Sequence, residues 1–153
     1  MENKELIEKG ISLARGGYFK EAIKIFEEGI CFTQDPKAMS YYALCVAEVE
    51  GDYNKAISLC LVAAGREFYN PDIYLNIGRI FILKGQKAFA VKSFIKGLKI
   101  SRTHQGLINA IKKLGVRRKP MVPFLPRHNF INKFLGKFVY RLTSKTSKTD
   151  FAV

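Results

Sequence analysis

The chain has 153 residues, 48% of them hydrophobic, and carries a formal net charge of +13. This length predicts one domain with a modest core, which argues against a second independent domain. The N-terminus is polar, and no apolar run approaches the roughly 18 residues that a membrane-spanning helix needs. We therefore expect neither a secretory signal nor a membrane anchor, and a cytoplasmic location.

Reactive groups are sparse along the sequence. Cys31, Cys45 and Cys60 lack metal-type spacing and fall on segments predicted to be helical, so we expect small buried residues of a reducing compartment. His104 and His128 are isolated from each other and from carboxylate clusters, which argues against a metal site. No phosphate-binding loop or paired nucleophile and base is present, so we predict no enzyme activity, no metal and no cofactor.

The net charge is distributed unevenly. Residues 1–72 contain 8 basic and 12 acidic side chains, whereas residues 73–149 contain 18 basic and no acidic ones. The two parts of the chain therefore present opposite charges to a partner.

Small and aliphatic residues recur at intervals of 34 positions. Glycines and alanines keep this spacing at Gly17, Gly51 and Gly85 and at Ala22, Ala56 and Ala90. Four further sets share the interval: Ile23, Ile57 and Val91; Phe26, Cys60 and Phe94; Gly29, Ala63 and Gly97; and Ile30, Ala64 and Leu98. A period of this length is typical of helical repeats.

Each copy predicts a helix that ends at a glycine, a short turn, and a second amphipathic helix. The glycines suit the left-handed conformation that closes a helix, because they have no Cβ. The apolar residues of the second helix recur at helical spacing between charged ones. We predict six helices in three antiparallel pairs, near residues 3–16, 19–33, 37–50, 53–66, 71–84 and 87–101.

A stack of helix pairs leaves its last apolar face exposed unless another element covers it. Residues 103–114 provide a candidate, since Leu107, Ile108, Ile111 and Leu114 form one apolar stripe and Gly115 follows as a cap. The sequence therefore predicts a capping helix here.

Over roughly residues 3–102 the chain resembles the tetratricopeptide-repeat family in period and in its signature positions. The third copy carries the match best, at Tyr74, Ile77, Gly78, Phe81, Gly85, Ala90 and Phe94. Departures are Pro36 and Pro71, which fall later than the motif's closing proline, and the tryptophan position, which holds Leu6, Ser40 or Tyr74. The resemblance implies an all-α, right-handed superhelical stack of three helical hairpins (an α-solenoid). Its repeats would be about 3–36, 37–70 and 71–102, with a cap at 103–115.

The resemblance also implies a concave groove lined by the first helix of each pair. Carried over by position, the lining is Lys4, Ile7, Ile11, Arg15, Tyr41, Cys45, Glu48, Leu75, Arg79 and Ile82. It implies a non-enzymatic scaffold or adaptor that binds a peptide or amphipathic helix, with Arg15 and Arg79 selecting an acidic flank. The alternative is that some of the apolar residues pack between repeats.

Some tetratricopeptide proteins hold a terminal carboxylate with Lys, Asn and Arg side chains at fixed groove positions. In this chain those positions are occupied by Ile7, Ile11, Tyr42, Asp72 and Asn76. They lack the cationic donors, so a receptor for chaperone tails is disfavoured. A dedicated chaperone of three repeats remains a further class that the chain resembles.

Residues 116–153 form a basic C-terminal third. Prolines at 120, 123 and 126 exclude continuous helix and predict an extended connector, after which residues 129–142 have the pattern of a basic amphipathic helix. Three interpretations stay open: this helix packs on the repeats, lies on an anionic membrane at the inner membrane surface, or helps to bind nucleic acid. The candidate anion-binding residues are Lys112, Lys113, Arg117, Arg118, Lys119, Arg127, Lys133, Lys137 and Arg141.

Overall fold

The computed structural model describes residues 2–28 and 33–115. Met1–Leu114 form one compact unit. The predicted connector and C-terminal amphipathic helix lie outside the described residues. Everything below therefore concerns the repeat region.

The described residues contain helices and turns and no strand. The helices are α1 (Glu2–Gly16), α2 (Phe19–Glu28), α3 (Pro36–Val49), α4 (Tyr53–Arg66), α5 (Pro71–Leu83), α6 (Lys87–Ile100) and α7 (Gln105–Lys113). The predicted all-α class is confirmed, and most helix ends agree with the prediction to within one residue. None of the helices in this part of the chain has the length and apolar character needed to cross a bilayer.

The helices pack as three successive hairpins. α1 contacts α2, α3 contacts α4, and α5 contacts α6, while each second helix also contacts the first helix of the next pair. The first helices form a continuous row, because α1 contacts α3, α3 contacts α5, and α5 contacts α7. This arrangement is a helical-repeat stack.

Side-chain caps begin several of the helices. Asp35 Oδ1 accepts a hydrogen bond from Ala38 N at 2.8 Å, and Asn70 Oδ1 accepts one from Asp72 N at 3.0 Å. In both helices a proline follows the cap and occupies the first helical position, where its missing N–H costs nothing. Pro36 and Pro71 therefore open helices in this chain, which explains why they fall later than the motif's closing proline.

The repeated glycines close the first helix of each pair. Gly17, Gly51 and Gly85 have φ values of 87°, 71° and 78°. At the third site Gly85 N donates to Ile82 O at 2.9 Å and Gln86 N donates to Phe81 O at 2.8 Å. This pair of bonds is the Schellman motif, which satisfies carbonyls that the helix leaves without partners. The predicted glycine caps are confirmed.

Within each hairpin, one pair of residues 16 positions apart sets how closely the two helices approach. A Cβ placed on Gly10 would lie 2.6 Å from Phe26 Cε1, and one on Gly78 would overlap the Phe94 ring. The second hairpin reverses the sizes, with Leu44 and Cys60 in one buried cluster. A large side chain on one helix is therefore matched by a small one on the other.

Helix α7 covers the last hairpin as predicted. Leu107, Ile108 and Ile111 are buried. A Cβ on Gly97 of α6 would lie 2.7 Å from Leu107 Cδ1. The helix begins at Gln105, later than the predicted residue 103, because the His104 ring supplies its N-terminal cap.

We predict that Gly78→Ala lowers the free energy of unfolding by about 1–3 kcal/mol, because the added methyl overlaps the Phe94 ring. Gly78→Leu combined with Phe94→Cys, which copies the second hairpin, should be more stable than Gly78→Leu alone. Urea denaturation followed by circular dichroism measures both effects.

The matched control is Gly65→Ala in α4, where a Cβ would meet nothing within 4 Å. This change should stabilise the helix by roughly 0.5–1 kcal/mol, because alanine loses less backbone entropy than glycine. Equal effects of the two alanine substitutions would contradict the proposed packing role of Gly78.

Candidate partner-binding site

The predicted groove residues all lie on the first helices, but they differ in accessibility. Ile11, Tyr41, Cys45 and Leu75 are buried. Ile7, Arg79 and Ile82 are half-buried, and Lys4, Arg15 and Glu48 are exposed. Several of the apolar members therefore contribute to packing between repeats, and their role in partner binding stays a prediction.

A carboxylate on α5 connects the first helices of all three hairpins and the start of the capping helix α7. Asp72 Oδ2 lies 3.1 Å from Arg15 Nη2 of α1 and 4.0 Å from Lys37 Nζ of α3. Asp72 Oδ1 accepts a hydrogen bond from the Tyr41 hydroxyl at 3.2 Å and lies 3.2 Å from His104 Nε2 at the start of α7. The Asp72 side chain is only 14% exposed, so this cluster is part of the packed structure.

The groups around Asp72 hold one another in place. Arg15 Nε donates to the Tyr41 hydroxyl at 2.8 Å, which raises the pKa of Arg15, and burial raises the pKa of Tyr41. Arg15 is therefore a cation and Tyr41 a neutral donor at neutral pH. His104 Nδ1 accepts from Leu107 N at 3.3 Å, which leaves Nε2 of the neutral ring to donate to Asp72.

This cluster changes the expectation for Arg15. Its guanidinium is paired with Asp72 and also lies 5.4 Å from the centroid of the Tyr41 ring. An acidic partner would have to compete with a carboxylate that the chain itself supplies. Of the two arginines predicted to select an acidic flank, Arg15 is thus already engaged.

We predict that Asp72→Ala lowers the free energy of unfolding by about 1–2 kcal/mol, since it removes the acceptor shared by donors from α1, α3 and α7. The control is Glu50→Gln, which breaks an exposed pair with Lys55 at 3.5 Å and should change stability by less than about 0.5 kcal/mol. Urea titrations of both variants provide the measurement. Equal effects would show that Asp72 is an ordinary surface charge.

An open pocket of about 630 Å³ lies where α3, α5 and α7 meet. Its apolar lining comes from α5, α6 and α7, and its charged lining comes from α3, α5 and α7. The lining residues are Glu48, Arg79, Ile82, Leu83, Phe94, Gly106, Asn109, Ala110, Lys112, Lys113 and Leu114. The structure thus brings together three predicted groove residues, Glu48, Arg79 and Ile82, with two residues of the predicted anion-binding set, Lys112 and Lys113.

The charged groups of the pocket are mainly cationic. Lys112 and Lys113 are exposed and Arg79 is half-buried. Glu48 is the one carboxylate of the lining. Burial raises the pKa of Glu48, and the nearby Arg79 charge acts in the opposite direction. The pocket can therefore hold an apolar group next to a negative one.

The remaining predicted anion-binding residues, Arg117, Arg118, Lys119, Arg127, Lys133, Lys137 and Arg141, lie outside the described residues. Cys31 does as well. Cys45 and Cys60 are buried as predicted, and burial raises both thiol pKa values, that of Cys45 to about 12. These two thiols are therefore protonated at neutral pH and unsuited to nucleophilic chemistry.

The Asp72 cluster and the role of His104 were not predicted from the sequence. Asp72 appeared only as a groove position that lacks a cation, and His104 as an isolated histidine. The signal that was present is the position of His104 directly before the capping helix, where a side-chain acceptor is expected. Its contact with Asp72, 32 positions away, is a feature of the folded stack alone.

Comparison with known proteins supports the fold. No protein-family model matches the sequence, and no curated protein matches it. The first TPR domain of the human RPAP3 protein has a TM-score of 0.59 at 17% identity, covering 90% of this chain and 95% of that domain. The Yersinia enterocolitica type III secretion translocator chaperone SycD has a TM-score of 0.56 at 13% identity, covering 91% and 92%.

Proposed function

Since the chain has the tetratricopeptide-repeat fold, we propose that it is a non-enzymatic scaffold that binds a peptide or amphipathic helix of another protein along α1, α3, α5 and α7. The observation that carries this proposal is the open pocket where α3, α5 and α7 meet. A volume of about 630 Å³ is within the range of functional ligand sites. The pocket is therefore the proposed anchor point.

The pocket suits one or two apolar side chains of a partner. Ile82, Leu83 and Leu114 line it and are half-buried, so they retain apolar surface that an incoming side chain can cover. Helix-in-groove recognition works in this way, with anchors spaced three or four residues apart on the bound helix. A dedicated chaperone is one form of such a scaffold, and SycD, one of the similar structures, is a translocator chaperone.

We predict that Ile82→Glu weakens the binding of a pocket-directed peptide at least about tenfold, because the glutamate removes apolar surface that the peptide would cover and adds a charge that must lose its water on docking. Peptides selected from a display library against the full chain supply the ligands, and fluorescence anisotropy measures Kd. Circular dichroism checks that the variant remains helical.

Leu61→Glu is the matched control for this experiment. Leu61 lies on α4, is 58% exposed, and does not line the pocket. Selected peptides should bind this variant as they bind the parent chain. If peptides bind the Ile82→Glu variant equally well, the pocket is not the binding site.

A second candidate function is association with an anionic surface through the basic C-terminal third. The observation that favours it is the absence of acidic residues from 73 to 149, with Lys112 and Lys113 exposed at the end of α7. An anionic membrane or a nucleic acid would be attracted by the same charges.

For this candidate we predict that the full chain co-sediments with vesicles rich in phosphatidylglycerol and not with neutral vesicles, in a salt-sensitive manner. Replacing Lys133, Lys137 and Arg141 together with glutamine should remove most of the binding. A filter-binding assay with nucleic acid across salt concentrations runs in parallel. Binding that ignores lipid charge would exclude the membrane candidate.

A further inference from the structure

The pocket where α3, α5 and α7 meet contains cations that form no hydrogen bond or ion pair in the described part of the chain. Within residues 2–28 and 33–115, no hydrogen bond or ion pair engages the charged ends of Arg79, Lys112 or Lys113. Arg15, by contrast, is held by Asp72 and Tyr41. Among the described residues, the pocket therefore brings together three cationic groups that a partner can reach, whereas the exposed Lys4 of α1 does not line it.

The surroundings reinforce this charge. From residue 73 to residue 115 the chain has basic side chains and no acidic one, so α5 beyond its first turn, α6 and α7 present a single sign of charge. A basic partner approaching the pocket would be repelled, and an acidic one would be attracted from a distance. The one carboxylate of the lining, Glu48, comes from α3, and the nearby Arg79 charge acts to lower its pKa.

We infer that the pocket binds an acidic amphipathic segment of a partner protein, with an apolar side chain against Ile82 and Leu114 and carboxylates at Arg79, Lys112 and Lys113. This inference rests on the proposed function and adds the chemistry of the partner. A guanidinium such as Arg79 pairs with a carboxylate through two parallel hydrogen bonds, which fixes orientation as well as charge. The side of the segment that faces Glu48 has to be uncharged or basic.

The asymmetry of the lining makes the partner's pattern specific. The cations are on α5 and α7, and the carboxylate is on α3. A suitable helix therefore has acidic residues along one flank of its apolar stripe and none along the other. A polyanion such as a nucleic acid or a membrane surface has charge without this one-sided apolar anchor, so the apolar lining favours a protein segment.

The test uses the full chain and a labelled designed helix of about 18 residues, long enough for five turns. One peptide has a leucine and phenylalanine stripe with glutamates on one flank. Two matched peptides replace those glutamates with glutamine or with lysine. Fluorescence anisotropy at low and moderate salt gives Kd for each peptide.

The decisive variant is Arg79→Gln with Lys113→Gln, which removes two charges from the pocket. Its matched control is Lys87→Gln with Arg102→Gln, which removes two exposed charges outside the lining. We expect the pocket variant to weaken binding of the glutamate peptide at least about tenfold and the control to change it less than about twofold. The glutamine and lysine peptides should bind the parent chain at least about tenfold more weakly.

The outcomes separate this inference from the proposed function. If all three peptides bind equally and Ile82→Glu abolishes their binding, the acidic specificity is wrong and the pocket remains a binding site. If Ile82→Glu leaves binding of every peptide unchanged, the proposed function fails as well. A third outcome is that phosphatidylglycerol vesicles or a nucleic acid displace the glutamate peptide, and that the Lys87→Gln, Arg102→Gln control weakens peptide binding as much as the pocket variant does. The attraction is then a general effect of charge, and the inference is overturned.

Discussion

The structure depends on the close approach of two helices within each hairpin. At Gly10 and Gly78 no side chain separates the backbone from the phenylalanine ring opposite, and in the second hairpin Leu44 and Cys60 exchange the large and small roles. Because interiors are packed to near-crystalline density, this pairing fixes how each hairpin presents its first helix to the next. The row of first helices, and with it the pocket, follows from that spacing.

The row of first helices divides into two chemically different parts. Around Asp72 the polar groups satisfy one another, and this part stabilises the stack. At the pocket, Arg79 and Lys113 lie beside partly covered apolar side chains. The proposed binding surface depends on a separate stabilising part, because free charges and open apolar surface add little to the stability of the chain itself.

Much of the fold was predictable from the sequence, because the interval of 34 residues, the glycine caps and the apolar stripes are local signals. The capping helix was predictable for the same reason. The Asp72 cluster was not predictable, since Arg15 and Asp72 are 57 positions apart and neither residue is repeated at the interval of 34 positions. The pocket was not predictable either, because it forms only when α7 packs against α5 and brings Lys113 and Arg79 into one lining. The sequence also left open which apolar groove residues pack between repeats, and the structure shows that Tyr41 and Leu75 are buried.

The bond between Arg15 and Asp72 has a consequence for folding cooperativity. In a repeat array, contacts normally join neighbours only, so end units can detach while the rest stays folded. Here α1 and α5 are not packed against each other, yet their side chains meet at 3.1 Å across α3. Unfolding of the first hairpin alone would therefore break an interaction with the third hairpin. This favours cooperative unfolding of all three hairpins.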